Sequence, residues 1–175
     1  TYPLVAHHGD AKARRGARIY LMILLGTSIV FFIPALVWTL AIAGTLDFTP
    51  GGILAGKASG LTTGLLLALF AFGIGKAALM PVHKWLPNAM VAPTPVSALL
   101  HAVAVVKAGV FTILKVSVYI FGSDHLLATG ASEWLVYLAT FSLLAASVIA
   151  LTKDSLKARL AYSTVSQLGY IVLGA

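Results

Sequence analysis

The stretch GIGKAALMPVHKWLPNAMVAPTPVSALLHAVAVVKAGVFTILK, residues 73–115, sets Lys76, His83, Lys84, His101, Lys107 and Lys115 in an otherwise apolar run. These side chains can carry protons, histidine near neutral pH and lysine where water is excluded. The same stretch holds Pro81, Pro87, Pro93 and Pro95. A helix turned to lipid avoids both features. A charge in the hydrocarbon core is costly and marks an ion pathway by default. Irregular backbone survives at that depth only where protein or water covers it. The residues predict an ion-conducting site built around a broken helix.

Lys107 is the sharpest signal. It falls near the middle of Pro95–Phe121, too deep for a four-carbon stem to reach either interface. The sequence therefore predicts that it faces the protein interior and exchanges a proton there, with a permanent ion pair as the alternative. Lys76 has two readings. If its helix runs to Met80, Lys76 lies one turn from water and snorkels. If the chain returns inward as a half-helix before Pro93, Lys76 sits beside the break. Free carbonyls and the negative end of a helix dipole suit a cation there.

His101 precedes Lys107 by six residues, about 120° away around a helix, and could relay protons or be a satisfied core residue. Lys115 lies nearer the helix end and snorkels more readily. His83 and Lys84 flank prolines on the watery side. Lys115 and His83 are thus secondary candidates. The five acids, Asp10, Asp47, Asp124, Glu133 and Asp154, all lie in or beside predicted loops. A carboxylate for Lys76 or Lys107 must come from a helix outside this sequence or from another subunit; water is the other possible partner.

The elements that position these residues are membrane spans. The chain has 175 residues, of which 59% are hydrophobic and 10% charged, and a mean hydropathy of +0.97. A soluble domain needs more charge to cover its surface. With no cysteine, Cys-ligated iron–sulfur clusters and disulfides are excluded. No motif for flavin, metal or nicotinamide is present, so no cofactor is expected. The net charge of +7 would suggest nucleic acid in a soluble protein; beside apolar spans it sets orientation instead.

Taken in order, residues 1–8 read as the end of one helix. GDAKARRGAR reads as a basic loop. Spans follow near 19–44, with Pro34 as a kink, and near 60–80, followed by a half-helix within 81–92. Further spans lie near 95–121, 134–152 and 156–175, with turn-rich loops at 45–59 and 122–132. The apolar pattern is still running at Ala175, so the sequence reads as a single membrane domain, an internal fragment of a longer protein. Alternation puts Lys12, Arg14, Arg15, Arg18, Lys84, Lys153, Lys157 and Arg159 on one side and Lys57 alone on the other. The first side is therefore cytoplasmic.

GKAALMPVHKWLPNAMVAPTPVSALLHAVAVVKAGVF closely resembles the signature of proton-conducting, antiporter-like membrane subunits. These occur in respiratory complex I, membrane-bound hydrogenases and Mrp-type monovalent cation/proton antiporters. KARLAYSTVSQLGY resembles a second signature of that family. The resemblance implies an all-α, polytopic bundle of about fourteen helices with interrupted helices, of which this chain is part. It implies that Lys76 is the lysine of an interrupted helix, and that His101 and Lys107 are proton-pathway residues of the next. It places a glutamate partner upstream of Thr1. The wording is most similar to the D-type Mrp subunit, with complex I or a hydrogenase as the alternative. Implied partners are the bilayer, other membrane subunits, and protons with sodium or potassium; the implied setting is a bacterial inner membrane. A quinone pocket at His83 and Trp85 and an inert scaffold are the competing hypotheses. The first of these would be a redox enzyme site; on the favoured reading no catalytic site is expected in this chain.

Overall fold

The computed structural model describes residues 2–7, 9–100 and 105–175. All regular structure among them is helical. After one helical turn at Tyr2–Val5, a continuous helix, α1, runs from Ala11 to Ala43. The basic stretch predicted as a loop is therefore its first two turns. Asp10 explains the early start: its carboxylate accepts from Ala13 N–H at 2.7 Å, an N-cap ahead of good helix formers. Before Pro34 the helix widens to π geometry at Ser28–Phe32, where Ile33 N–H reaches Ser28 O. The wide turn accommodates a ring that would clash in a regular helix. At the far end Gly44 turns left-handed, and Lys57 Nζ donates to Ala43 O at 3.0 Å, a cation at the negative helix pole.

The second helix, α2, spans Gly60–Gly73, ending well short of the predicted Met80. Fourteen residues rise about 21 Å, less than a hydrocarbon core of about 30 Å. A break follows, then a half-helix: a 3-10 turn at Val82–Lys84 leading into α3, Trp85–Ala89. α4 covers Thr94–Ala98, α5 Val105–Phe121 and α6 Ser123–Thr129, bent from α5 by 77°. Residues 122–132, predicted as loop, thus carry a short helix started by Gly122 at φ 83°. α7 spans Glu133–Leu151 and α8 spans Leu156–Leu173. Among the described residues, α1 and α7 are long and apolar enough to cross a membrane on their own, and α5 with α6 would add a third only if the bent pair is one span.

The core gathers around the break. Trp85, Phe70, Phe121, Leu66, Leu79, Leu86 and Leu100 are fully buried. Phe70 packs edge-on against Phe32 and Phe121, each at 5.9 Å between ring centres, a favoured aromatic geometry. The loop at 45–59 closes the other end: Ile53 and Leu54 N–H bond to Tyr119 O and Ile120 O at 3.3 and 3.0 Å.

Candidate functional site at the broken helix

Between α2 and α3 the backbone changes direction repeatedly. Ile74 leaves helical geometry at φ −83°, ψ 58°, and a single 3-10 turn covers Gly75–Ala77. Ala78 then sits at φ 54°, a left-handed conformation costing about 1 kcal/mol for a residue with a Cβ. The Met80–Pro81 peptide is cis. Lys76 thus lies inside the break, one residue into the 3-10 turn, and not on a helix that continues to Met80.

A broken backbone in a membrane must find partners for the groups a helix would have paired. Here side chains supply them. The buried indole of Trp85 donates from Nε1 to Gly75 O at 2.8 Å, and Ala78 N–H reaches the same carbonyl at 3.1 Å. Met80 N–H donates to Ser142 Oγ on α7 at 3.1 Å. Lower down, Ala92 O accepts from Lys157 Nζ at 3.1 Å and from Ser97 Oγ at 3.2 Å.

The neighbours close in on glycines. A Cβ on Gly73 would fall 2.6 Å from Phe32 N, and one on Gly75 would fall 2.5 Å from Thr27 Oγ1. A Cβ on Gly109 of α5 would overlap the Lys76–Ala77 peptide itself. α1 thus meets the end of α2, and α5 meets the break, backbone to backbone, while Gly75 abuts the Thr27 side chain.

A cleft of about 110 Å³ remains between these three elements, lined by Ser28, Phe32, Gly75, Lys76, Gly109 and Thr112 among others. It has room for a few water molecules and polar groups to hold them. Thr112 donates to Ala108 O at 2.7 Å, which leaves its lone pairs free to accept.

Lys76 is exposed at the surface of this chain. So is Lys107, on the flank of α5 that also presents Phe111, Leu114 and Val118. Lys107 does not point into the core of these residues: Val106, Gly109, Val110 and Ile113 occupy the inner face of α5. Two residues separate Lys107 from Gly109, which at 100° each puts them on opposite sides of the helix. Lys107 directly precedes Ala108, which lines the cleft. Among the described residues neither lysine is paired with a carboxylate. His101 lies outside the described residues.

The secondary candidates separate in the same way. Lys115 Nζ sits 4.2 Å from the Phe48 ring centre, with Phe111 and Tyr119 at 5.8 and 5.9 Å. That aromatic cage ties α5 to the loop at 45–59, and Lys115 does not line the cleft at the break. His83 is buried beside Tyr162, 6.0 Å between ring centres, and its Nδ1 has no hydrogen-bond partner among the described residues. The expectation of a wet His83 is corrected: the half-helix turns it under α8.

Ser28, Thr112, Ser142 and Gly109 join the site without having been singled out from the sequence. A glycine inside an apolar helix is a signal of close backbone approach, so Gly109 could have been found. The serines and threonine could not, because most hydroxyls in such helices simply bond their own backbone.

The family model described as NADH:quinone oxidoreductase/Mrp antiporter, TM, matches residues 1–175. NADH-ubiquinone oxidoreductase chain 5 from Metridium senile is 43% identical over 133 residues, which cover 74% of this chain and 21% of that protein. NAD(P)H-quinone oxidoreductase chain 5 from Synechocystis sp. is 38% identical over 137 residues, 74% of this chain and 19% of that one. Among solved structures, a chain of the Mrp complex from Dietzia sp. superimposes with a TM-score of 0.78 and 29% identity. That match covers 98% of this chain and 18% of the other. The chain spans about a fifth of the length of these relatives.

Proposed function

The chain belongs to the NADH:quinone oxidoreductase/Mrp antiporter transmembrane family, and on that footing we propose that it is part of a proton-translocating, antiporter-like subunit of a multi-subunit membrane complex. Lys76 and Lys107 carry the proton in this reading, with His101 as a further pathway residue and His83 and Lys115 as secondary candidates.

One observation carries the reading. Lys76 is a basic side chain in a break of an apolar helix, it borders a cleft with room for water, and it is paired with no carboxylate among the described residues. A lysine in that position can give up and regain a proton, because neither state is locked by a fixed counter-charge. Exposed ammonium groups at Lys76 and Lys107 make a poor lipid surface. Further helices, from the same subunit or a neighbour, cover it.

The cation-exchanging version, an Mrp-type antiporter of a bacterial inner membrane moving sodium or potassium against protons, is supported by the superposition on the Mrp complex chain. The version within an NADH:quinone oxidoreductase is supported by the identity with chain 5 of such enzymes. In proteoliposomes holding the assembled complex, flux driven by a sodium or potassium gradient identifies the first, and flux driven by NADH oxidation the second.

The test of the shared mechanism is substitution in the full-length protein. Lys76→Ala and Lys107→Ala each lower proton flux by about 100-fold, the low end for removing a proton-transfer group, with assembly retained. Arginine keeps the charge but does not deprotonate, so Lys107→Arg is nearly as damaging. Flux close to wild type in both Lys107→Ala and Lys107→Arg, with normal assembly, would sink the mechanism.

A further inference from the structure

We propose that Trp85 is a positioning residue for Lys76, acting through the peptide bond that joins Gly75 to Lys76. This rests on the proton-carrier reading of Lys76.

The Gly75 carbonyl is one half of the peptide whose other half is the Lys76 N–H. Trp85 donates its indole N–H to that carbonyl at 2.8 Å, and both partners are buried. The ring itself is fully buried and cannot swing away. Tyr20 of α1 packs edge-on against it, 5.7 Å between ring centres. Farther along the same pair of elements, a Cβ on Gly16 of α1 would fall 2.5 Å from Asn88 O at the end of the half-helix. The indole is thus held by a close helix contact and points back across the break.

The peptide on the other side of Lys76 is held too. Gly109 lies flush against the Lys76–Ala77 peptide and leaves no space for a methyl group. The two peptide planes that flank the Lys76 Cα are therefore fixed from opposite sides, by an indole and by a glycine. Free rotation of the break would swing the Lys76 stem out of the cleft it shares with Ser28 and Thr112. With both planes fixed, only the side-chain torsions of Lys76 move. The ammonium then samples a small arc beside the cleft, which proton transfer requires, since donor and acceptor must come within hydrogen-bond reach.

Only a donor on a large, stiff side chain does this at Trp85. Phenylalanine preserves most of the packing on Tyr20 but leaves the carbonyl one donor short. A benzothiophene analogue of tryptophan, with sulfur in place of N–H, preserves nearly all of the shape and removes the donor alone.

The experiment uses the full-length subunit in its assembled complex, reconstituted in proteoliposomes, with proton flux measured across a pH series. Trp85→Phe and the benzothiophene analogue each lower flux roughly tenfold, the scale set by a lost buried hydrogen bond. In each the pH at half-maximal flux moves by about half a unit or more, because the Lys76 surroundings change. In a Lys76→Ala background Trp85→Phe adds no further loss. If the analogue supports wild-type flux with an unmoved pH profile, the inference fails. Loss that tracks the amount of assembled complex, or that adds in full to Lys76→Ala, also overturns it and leaves a purely structural tryptophan. If Lys76→Ala itself transports normally, the proton-carrier reading falls and this inference with it. If Lys76→Ala is inactive while the analogue is wild type, only the inference falls.

Discussion

The break at residues 74–92 and the paired helices α7 and α8 occupy the same molecule and solve opposite problems. α7 and α8 are regular, so their backbone closes its own hydrogen bonds, and contact between them is a matter of size. Ala139, Ala146 and Ala161 are fully buried. A Cβ on Gly169 would come within 3.1 Å of Leu143 Cβ. One hydroxyl pair, Ser147 with Ser166 at 2.8 Å, adds a polar contact. In the break, backbone groups lose their helical partners and take side-chain ones: Trp85 for Gly75 O, Ser142 for Met80 N–H, Lys157 for Ala92 O. Regular membrane helices select small residues, and interrupted ones select donors and acceptors at fixed places. A polar residue in an apolar span can therefore serve the backbone of a different element. Ser142 is the example: it sits in a span that carries no charge and reads as plain packing.

The comparison is sharpest at two glycines. Gly109→Ala forces a methyl group into the backbone at Lys76, so we expect about 2–3 kcal/mol of destabilisation and a large loss of proton flux. Gly169→Ala meets the side chain of Leu143 and the carbonyl of Ala139, 3.1 and 3.2 Å away, and costs about 1 kcal/mol or less with flux intact. Thermal unfolding of the assembled complex, with flux normalised to assembled protein, reads both. Equal effects at the two positions would erase the distinction drawn between the regions.

Serines give the next contrast. Ser142→Ala leaves Met80 N–H buried without an acceptor, a loss of about 1–3 kcal/mol, and lowers flux because the break shifts. Ser147→Ala removes a hydroxyl pair between two intact helices and costs about 0.6 kcal/mol, with no change in flux per assembled complex. A Ser142→Ala variant as stable as Ser147→Ala would show that the break does not depend on α7.

Smallest is Lys115→Met. The side chain sits in its aromatic cage and does not line the cleft at the break, so we expect a loss of about 1 kcal/mol or less and flux within twofold of wild type. A larger flux defect would return Lys115 to the proton pathway.

Much of this was legible in the sequence, and the reasons differ by level. The membrane class followed from composition, since few charges cannot cover a soluble surface. The family followed from two motifs whose residues match, and the match over residues 1–175 agrees. Helix positions followed from apolar runs, but their ends did not. Asp10 extended α1 back through the basic stretch, and Gly122 opened a short helix where turn residues predicted a loop. Both errors come from local capping, which outweighs the polar composition of a stretch. Lys76, His83, His101, Lys107 and Lys115 could be named as titratable groups near prolines, but the burial of His83 and the aromatic cage of Lys115 could not be read from the sequence.

The sequence by itself determined that the helix following Gly60 must break, because four prolines within fifteen residues remove donors a helix needs. It also determined that lysines would sit near that break. Only the tertiary structure decided where the break begins and what holds it. The helix stops at Gly73, where α1 and α5 approach at Gly73, Gly75 and Gly109, contacts between residues tens of positions apart. It decided that Lys76 lies within the break and Lys107 on the outer flank of α5. It also decided that a tryptophan, a serine and a lysine from other elements would satisfy the interrupted backbone. Periodicity and proline chemistry are local and can be read along the chain; the partners of an unpaired carbonyl are set by which elements meet in space.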